Sequence, residues 1–143
     1  MDPLSFSASL IAIITLANQI ITRGRAWASA VREASNDLIN ILIEVGSVKS
    51  VLETLQLRLK LEPLSQKVES LQGPMEGCER VMRDLLMLLP VQTKLTGKKK
   101  RGEHTAAYAA LTWPFKQGKA RKLLEDLARF KDTIHLAVIT DAR

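Results

Sequence analysis

Apolar and polar residues alternate along the first part of the chain with the period of an α-helix. No charged side chain occurs from Pro3 to Thr22, and a helix needs about 20 apolar residues to cross a bilayer. At 100° per residue, the polar side chains Thr15, Asn18 and Gln19 gather on one side. The apolar face opposite them comprises Phe6, Leu10, Ile13, Ile14, Leu16, Ala17, Ile20 and Ile21. The pattern predicts an amphipathic helix with an uncharged polar face, which fits a protein core and also a membrane interface.

The flanks of this segment decide between secretion, a permanent membrane span and a buried helix. Signal peptides begin with basic residues, whereas Asp2 follows Met1 here. Arg23 and Arg25 also separate the apolar run from Ala26-Trp27-Ala28, the triplet that resembles a cleavage site. Seven Ser, Thr, Asn and Gln side chains dilute a permanent span. An apolar helical stripe most often belongs to a core, so a buried helix is favoured over secretion.

A second block of apolar residues predicts a second long helix. Ser35 or Asn36 can cap it, and Asp37 lies favourably in its first turn. Glu62-Pro63 is predicted to end it, because the residue before a proline avoids helical geometry. The apolar positions recur at spacings of three and four and are Leu38, Leu42, Val45, Val48, Leu52, Leu55 and Leu59.

The third helix is predicted to start at Pro74, a residue type favoured in a first helical turn. Gly73-Pro74 then marks a stop, which leaves residues 64–72 as a short helical or irregular connector. Pro90 is expected to kink or end this helix. Its apolar face comprises Met75, Cys78, Val81, Met82, Leu85, Leu88 and Leu89. Because Cys78 lies on that face, we expect a buried and unreactive thiol.

The last block predicts a fourth long helix that starts near Lys119. Its apolar positions are Leu123, Leu127, Phe130, Ile134 and Ala137. A short apolar piece, Ala106–Leu111, and a bend at Trp113-Pro114-Phe115 precede it. The chain is therefore predicted to form one all-α domain over residues 1–143. We expect an antiparallel four-helix bundle with a long N-terminal hydrophobic helix and short extra helical segments.

Composition narrows the function classes. The chain has 143 residues, of which 46% are hydrophobic and 4% aromatic, a balance that suits helices better than sheets. A single cysteine permits no internal disulfide and favours a reducing intracellular compartment. The two histidines, His104 and His135, lie in unrelated contexts, and we find no motif for a nucleophile, a phosphate-binding loop or a metal site. We expect no catalytic residue, no metal and no cofactor.

Positive charge is concentrated in one stretch of the chain. The net charge is +6, but nine Lys and Arg from Lys94 to Lys122 oppose only Glu103, so this stretch carries +8 and the rest −2. Such a surface attracts lipid phosphates or an acidic protein partner. The candidate binding residues are Lys94, Lys98, Lys99, Lys100 and Arg101. Nucleic acid is a weaker alternative, since a run of four bases is common by chance, and a merely solvated loop is another.

Short motifs in a fixed order run the length of the chain. They are MDPLS at 1–5, ASLI at 8–11, WASAVR at 27–32, DLI at 37–39, EV at 44–45, GCE at 77–79, LTWPF at 111–115 and LLEDL at 123–127. Together they resemble the N-terminal helical domains of fungal STAND proteins, the NLR-like receptors, and in particular the HeLo-like domain family. That family is similar to the four-helix bundle of the necroptosis executioner and to plant RPW8-type coiled-coil domains.

The resemblance implies an effector domain that binds membranes and induces regulated cell death once it oligomerises, as in innate immunity or heterokaryon incompatibility. The inserting helix is then the first one, through Phe6, Leu10, Ile13, Ile14, Ala17, Ile20 and Ile21. The implied partners are anionic membrane lipids, further copies of the chain on activation, and a downstream nucleotide-binding or repeat domain; nucleic acid is not expected. The implied location is the cytoplasm, with relocation to the plasma membrane. The alternative is a non-membrane adaptor or oligomerisation module for protein–protein signalling.

Overall fold

The computed structural model describes residues 3–30, 36–61, 65–89 and 117–140, and α-helix is the regular structure throughout this part of the chain. The helices are α1 (Pro3–Ala30), α2 (Asn36–Leu61), α3 (Ser65–Leu88) and α4 (Gln117–Thr140). The all-α prediction is confirmed for these ranges.

The four helices pack as a square in which α1 and α4 lie diagonally opposite each other. Helix α1 packs against α2 and α3, and α4 packs against the same two helices. Gly24, late in α1, faces Leu42, early in α2, so these two helices run antiparallel. Arg23 meets Leu86 at the end of α3, so α1 and α3 run parallel. The result is the predicted four-helix bundle, with an upper end formed by the termini Ala30, Asn36, Leu88 and Gln117. The neighbours α1 and α2 are antiparallel, as expected, whereas the neighbours α1 and α3 are parallel.

One continuous apolar core fills the space between the helices. All seven residues predicted for the apolar face of the third helix are buried. In α2 the predicted face is buried except for Leu42 and Leu59, which are half-buried. Ile41 and Leu71 are also buried, although the sequence pattern did not single them out. Each large side chain buried in this way contributes about 2 kcal/mol, which is the main stabilisation of the bundle.

The predicted stop at Gly73-Pro74 is wrong, because α3 continues through both residues. A proline inside a helix removes one backbone hydrogen bond and clashes with the preceding turn. Gly73 relieves part of this strain, since it has no Cβ to meet the proline ring. Leu71 and Met75 on either side are buried in the core, so packing outweighs the local signal. Residues 65–72 are thus part of a long helix and not a connector.

Helix α1 extends further than its apolar run, through Gly24 to Ala30. A Cβ on Gly24 would lie 2.5 Å from Leu42 Cδ2. Glycine therefore lets α1 and α2 approach closely, which offsets its poor helix propensity of about 1 kcal/mol. Trp27, near the end of α1, is buried as well.

Several predictions concern segments outside the described residues. These are the effect of Pro90, the glycine-flanked basic loop, the short apolar piece Ala106–Leu111 and the bend at Trp113-Pro114-Phe115.

Candidate functional site: the N-terminal helix

Helix α1 differs from the other helices in its low charge. It carries two charged side chains among 28 residues, whereas α4 carries eight among 24. Among the described residues, its segment Ser5–Ser29 is the one stretch long and apolar enough to cross a membrane, with a mean hydropathy of 1.5. At 1.5 Å per residue these 25 residues span about 37 Å, enough for a hydrocarbon layer of about 30 Å. The core helix of a soluble protein meets the same criterion, so the burial of α1 in the bundle matters as much as its length.

The predicted insertion face of α1 lies in the core of the bundle. Five of its seven residues are fully buried, and Ile14 and Ile21 are half-buried against the core. The fully buried five are Phe6, Leu10, Ile13, Ala17 and Ile20. The four large side chains among them lose about 2 kcal/mol each when they are exposed to water. Releasing α1 into water therefore costs on the order of 8 kcal/mol, so the helix leaves only if another apolar environment receives it.

The outer face of α1 is exposed and uncharged up to Thr22. Ile11 is 52% exposed on this face, and the sequence pattern did not assign it to either side. The Thr15 hydroxyl donates a hydrogen bond to the Ile11 carbonyl at 2.9 Å. That bond satisfies the hydroxyl within the helix and leaves it less dependent on water. Both faces of α1 thus avoid charge, although only one is buried.

Arg23 is the first charged residue of α1, and it ties the helix to α3. Its Nη1 donates to the Leu86 carbonyl oxygen at 3.5 Å. Leu86 lies in the last turn of α3, where the helix dipole is negative, and its carbonyl oxygen also accepts a hydrogen bond from the Leu89 N–H at 3.2 Å. The guanidinium therefore holds α1 at the upper end of the bundle.

The five predicted anion-binding residues, Lys94, Lys98, Lys99, Lys100 and Arg101, lie outside the described residues. The described residues on either side of that stretch, Leu89 and Gln117, both lie at the upper end. The exposed bases Arg25, Lys119 and Lys122 lie at this end too. The sequence pattern could not place Arg25 at the same end of the bundle as the start of α4, because this placement depends on the directions in which the helices pack.

The start of α4 is basic although a helix N-terminus favours acidic residues. Its first turn contains no acidic side chain, while Lys119, Arg121 and Lys122 follow within six residues. Each base near the positive end of the helix dipole costs a few tenths of a kcal/mol. The upper end of the bundle therefore carries concentrated positive charge, although this charge lowers the stability of the first turns of α4.

Two titratable residues singled out in the sequence, Cys78 and His135, lie apart in different surroundings, and His104 lies outside the described residues. Cys78 is fully buried, as predicted, and burial together with the neighbouring Glu79 raises the pKa of its thiol to about 12. His135 is exposed and lines an open groove of about 420 Å³ between α2 and α4 with Arg58. Within the described ranges, no group of His, Cys, Asp and Glu side chains could hold a metal ion.

Across the interface of α2 and α4, one ion pair links the two helices. Lys131 Nζ lies 2.8 Å from Glu44 Oε1, and both side chains are about one-fifth exposed. Glu44 Oε1 is buried and has no directed hydrogen bond, so the attraction is electrostatic. Such a partly screened pair contributes on the order of 1 kcal/mol or less.

Comparison with known proteins assigns the chain to a family. No curated protein and no solved structure gave a significant match. A family model described as "Pigment biosynthesis cluster protein PigL N-terminal" matches residues 1–142. This match supports a fungal-associated N-terminal helical domain, and it gives no direct support to the HeLo-like or NLR assignment. The chain belongs to the PigL N-terminal family.

Proposed function

We propose that this domain is the membrane-directed effector domain of a fungal NLR-like protein, of the HeLo-like kind, and that it induces regulated cell death through α1. The observation that carries the proposal is the combination found in α1. The helix is long enough to cross a bilayer, has no charge before Arg23, and covers its apolar face with the rest of the bundle. The name of the family describes PigL as a pigment biosynthesis cluster protein and assigns no activity to these helices.

In this proposal the bundle is the inactive state, and the bilayer replaces the core as the environment of α1. Release into water alone is too costly, so a trigger must couple release to membrane contact. Self-association, driven by a downstream nucleotide-binding or repeat domain, would supply that trigger by raising the local concentration of released helices.

The basic residues act as the docking surface for anionic headgroups. Each Lys or Arg near such a surface contributes about 1 kcal/mol. Arg23 and Arg25 follow the charge-free segment directly, so they remain at the headgroups while residues 3–22 enter the bilayer. Arg23 exchanges the Leu86 carbonyl for a lipid phosphate in this step.

A second candidate function is a non-membrane adaptor, in which α1 stays in the core permanently. The complete burial of five residues on the α1 face favours this alternative. The basic surface then meets an acidic protein partner.

A disulfide between α1 and α2 tests whether α1 has to leave the bundle. A Cβ on Gly24 would lie 3.2 Å from Leu42 Cγ, so Gly24→Cys with Leu42→Cys brings two thiols within bonding range. The buried Cys78 thiol does not compete, since its pKa of about 12 keeps it protonated. Co-flotation and dye leakage are measured with neutral and anionic liposomes, before and after reduction.

We expect the reduced protein to bind anionic vesicles and release dye, and the oxidised protein to release none. Ile13→Glu places a charge on the buried face and should also abolish leakage. Thr15→Glu on the exposed face spares the core and should abolish leakage too, because it places a charge inside the inserting segment, whereas the uncharged Thr15→Val is the matched control. Circular dichroism confirms that each variant is folded. Equal leakage by the oxidised and reduced forms contradicts helix release. No vesicle binding even after forced dimerisation supports the adaptor.

A further inference from the structure

The outward face of α2 carries an uncharged stripe along the whole helix. The stripe points away from the core, between the sides of α2 that contact α1 and α4. Its large members are 44% to 74% exposed. The stripe consists of Ile39, Ile43, Gly46, Ser50, Thr54, Leu57 and Leu61. The exposed apolar side chains form one pair near each end of this uncharged stripe, and such a surface is typical of an interaction site.

The stripe is symmetric about Ser50. Ile43 and Leu57 lie seven residues on either side of it, and Ile39 and Leu61 lie eleven residues on either side. In an antiparallel pair of α2 helices with a two-fold axis at Ser50, each large side chain therefore meets a large one of the other copy. Small residues meet at the centre. This self-complementarity is what a two-fold interface between identical chains requires.

No contact within the described part of the chain accounts for Gly46. A Cβ at this position would have nothing within 4 Å, although glycine inside a helix costs about 0.5 to 1 kcal/mol relative to alanine. Gly24 and Gly77, in contrast, each face a side chain of a neighbouring helix at close range. A second helix packed on the stripe gives Gly46 the same role, because small residues four apart allow backbones to approach.

The polar groups at the centre of the stripe are already satisfied. The Ser50 hydroxyl donates to the Gly46 carbonyl at 3.2 Å, and the Thr54 hydroxyl donates to the Ser50 carbonyl at 3.0 Å. Covering them with another helix therefore leaves no hydroxyl without a partner.

Charges beside the stripe fit a second copy of the chain. Lys49 and Glu53 lie on the flank of α2 that faces α1, one turn apart, and neither forms an ion pair within the described part of the chain. A two-fold axis at Ser50 brings the same flank of both copies together, with Glu53 of one copy within two residues of the level of Lys49 of the other. Two equivalent ion pairs result.

We propose that two copies of this chain associate through antiparallel α2 helices that cross at Ser50. This dimer rests on the proposed function, because the stripe on α2 is then the surface through which the effector domain self-associates. It is tested without lipid, so that its failure is distinct from a failure of membrane insertion.

A charge-exchange cycle measured by sedimentation equilibrium of the 143-residue chain tests the register. Lys49→Glu alone and Glu53→Lys alone each oppose like charges across the axis, and each should raise the dimer dissociation constant about tenfold. The double variant restores opposite charges and should return the constant close to that of the wild type. Ile43→Ser should weaken the dimer, whereas Ile11→Ser, which removes an exposed isoleucine of α1, should not.

Cysteine crosslinking tests the axis directly. Ser50→Cys should form disulfide-linked dimers rapidly, whereas Thr15→Cys on the outer face of α1 should not. The buried Cys78 gives no background in either variant. A chain that remains monomeric at about 100 µM, single charge variants that associate like the wild type, or equal oxidation of the two cysteine variants would each overturn the proposal.

Discussion

The α1–α2 half of the bundle and the α3–α4 half have similar cores and different surfaces. The first half carries eight charged side chains in 54 residues, and the second carries fifteen in 48. The first exposes five large aliphatic side chains, Ile11, Ile39, Ile43, Leu57 and Leu61, whereas the second exposes three large apolar ones, Met87, Leu136 and Ile139. Because the two halves bury comparable apolar faces, stability alone does not explain the difference. The less charged half is suited to meet something other than water, which we propose is a bilayer for α1 and a second copy for α2.

The largest expected effect is the difference in stability between substitutions on the two sides of α1. Ile13 is fully buried and Ile11 is 52% exposed, two residues away on the same helix. Ile13→Glu should lower the free energy of unfolding by about 4 kcal/mol, because it buries an unpaired charge. Ile11→Glu should change it by less than about 0.5 kcal/mol. Urea denaturation measures both, and similar losses at the two positions would contradict the described orientation of α1.

Alkaline pH probes the core of the other half through Cys78. The pKa of this thiol is about 12 in the folded chain, against an ordinary value of 9.0. Burial favours the protonated form, so this contribution to stability is complete below pH 9.0 and is lost between pH 9.0 and about 12. The free energy of unfolding should fall by about 1.4 kcal/mol per pH unit in that window.

The control for this prediction is Cys78→Ala. Its free energy of unfolding should lack the part of the fall between pH 9.0 and about 12 that the thiol causes. A thiol reagent at pH 8 should label Cys78 only after denaturation. Rapid labelling of the folded protein would show that the thiol is accessible.

Substitutions at two glycines test how rigid the helix contacts are in the two halves of the bundle. A Cβ on Gly77 would overlap three ring atoms of Phe130, whereas one on Gly24 would press mainly on the end of Leu42. The ring yields less easily than a terminal methyl group. Gly77→Ala should therefore cost about 2 kcal/mol, and Gly24→Ala less, because higher helix propensity offsets part of the strain.

Adding Phe130→Leu to Gly77→Ala should recover part of the loss in thermal denaturation. Equal destabilisation by the two glycine substitutions would mean that the two contacts are equally rigid.

The smallest expected effect is a gain in stability. Gly46→Ala should stabilise the isolated chain by about 0.5 to 1 kcal/mol, because the new methyl group meets nothing and alanine favours helix. Gly73→Ala is the control, since a Cβ before Pro74 strains the backbone and cancels the gain. The same Gly46→Ala variant should associate more weakly. A variant that is both more stable and equally dimeric would count against close packing at Gly46.

Periodicity predicted the four helices and most of the core, because burial depends on the spacing of apolar residues. It failed at Gly73-Pro74, where two residues signal a break but Leu71 and Met75 anchor the helix on both sides. It also gave no signal for the approach of Gly24 to Leu42 or for the contact of Arg23 with Leu86, because both depend on how separate helices pack. The insertion face was predicted as an apolar surface, and its role in the membrane stays a prediction.

The diagonal placement of α1 and α4 bears on the release of α1 that we propose. Since α1 packs against α2 and α3, its departure breaks contacts along two neighbours and leaves the packing of α4 on both intact. Opening of α1 is then a partial unfolding with its own free energy, separate from global unfolding. Amide hydrogens of α1 should then exchange as one cooperative group, at a common rate from Phe6 to Ile20.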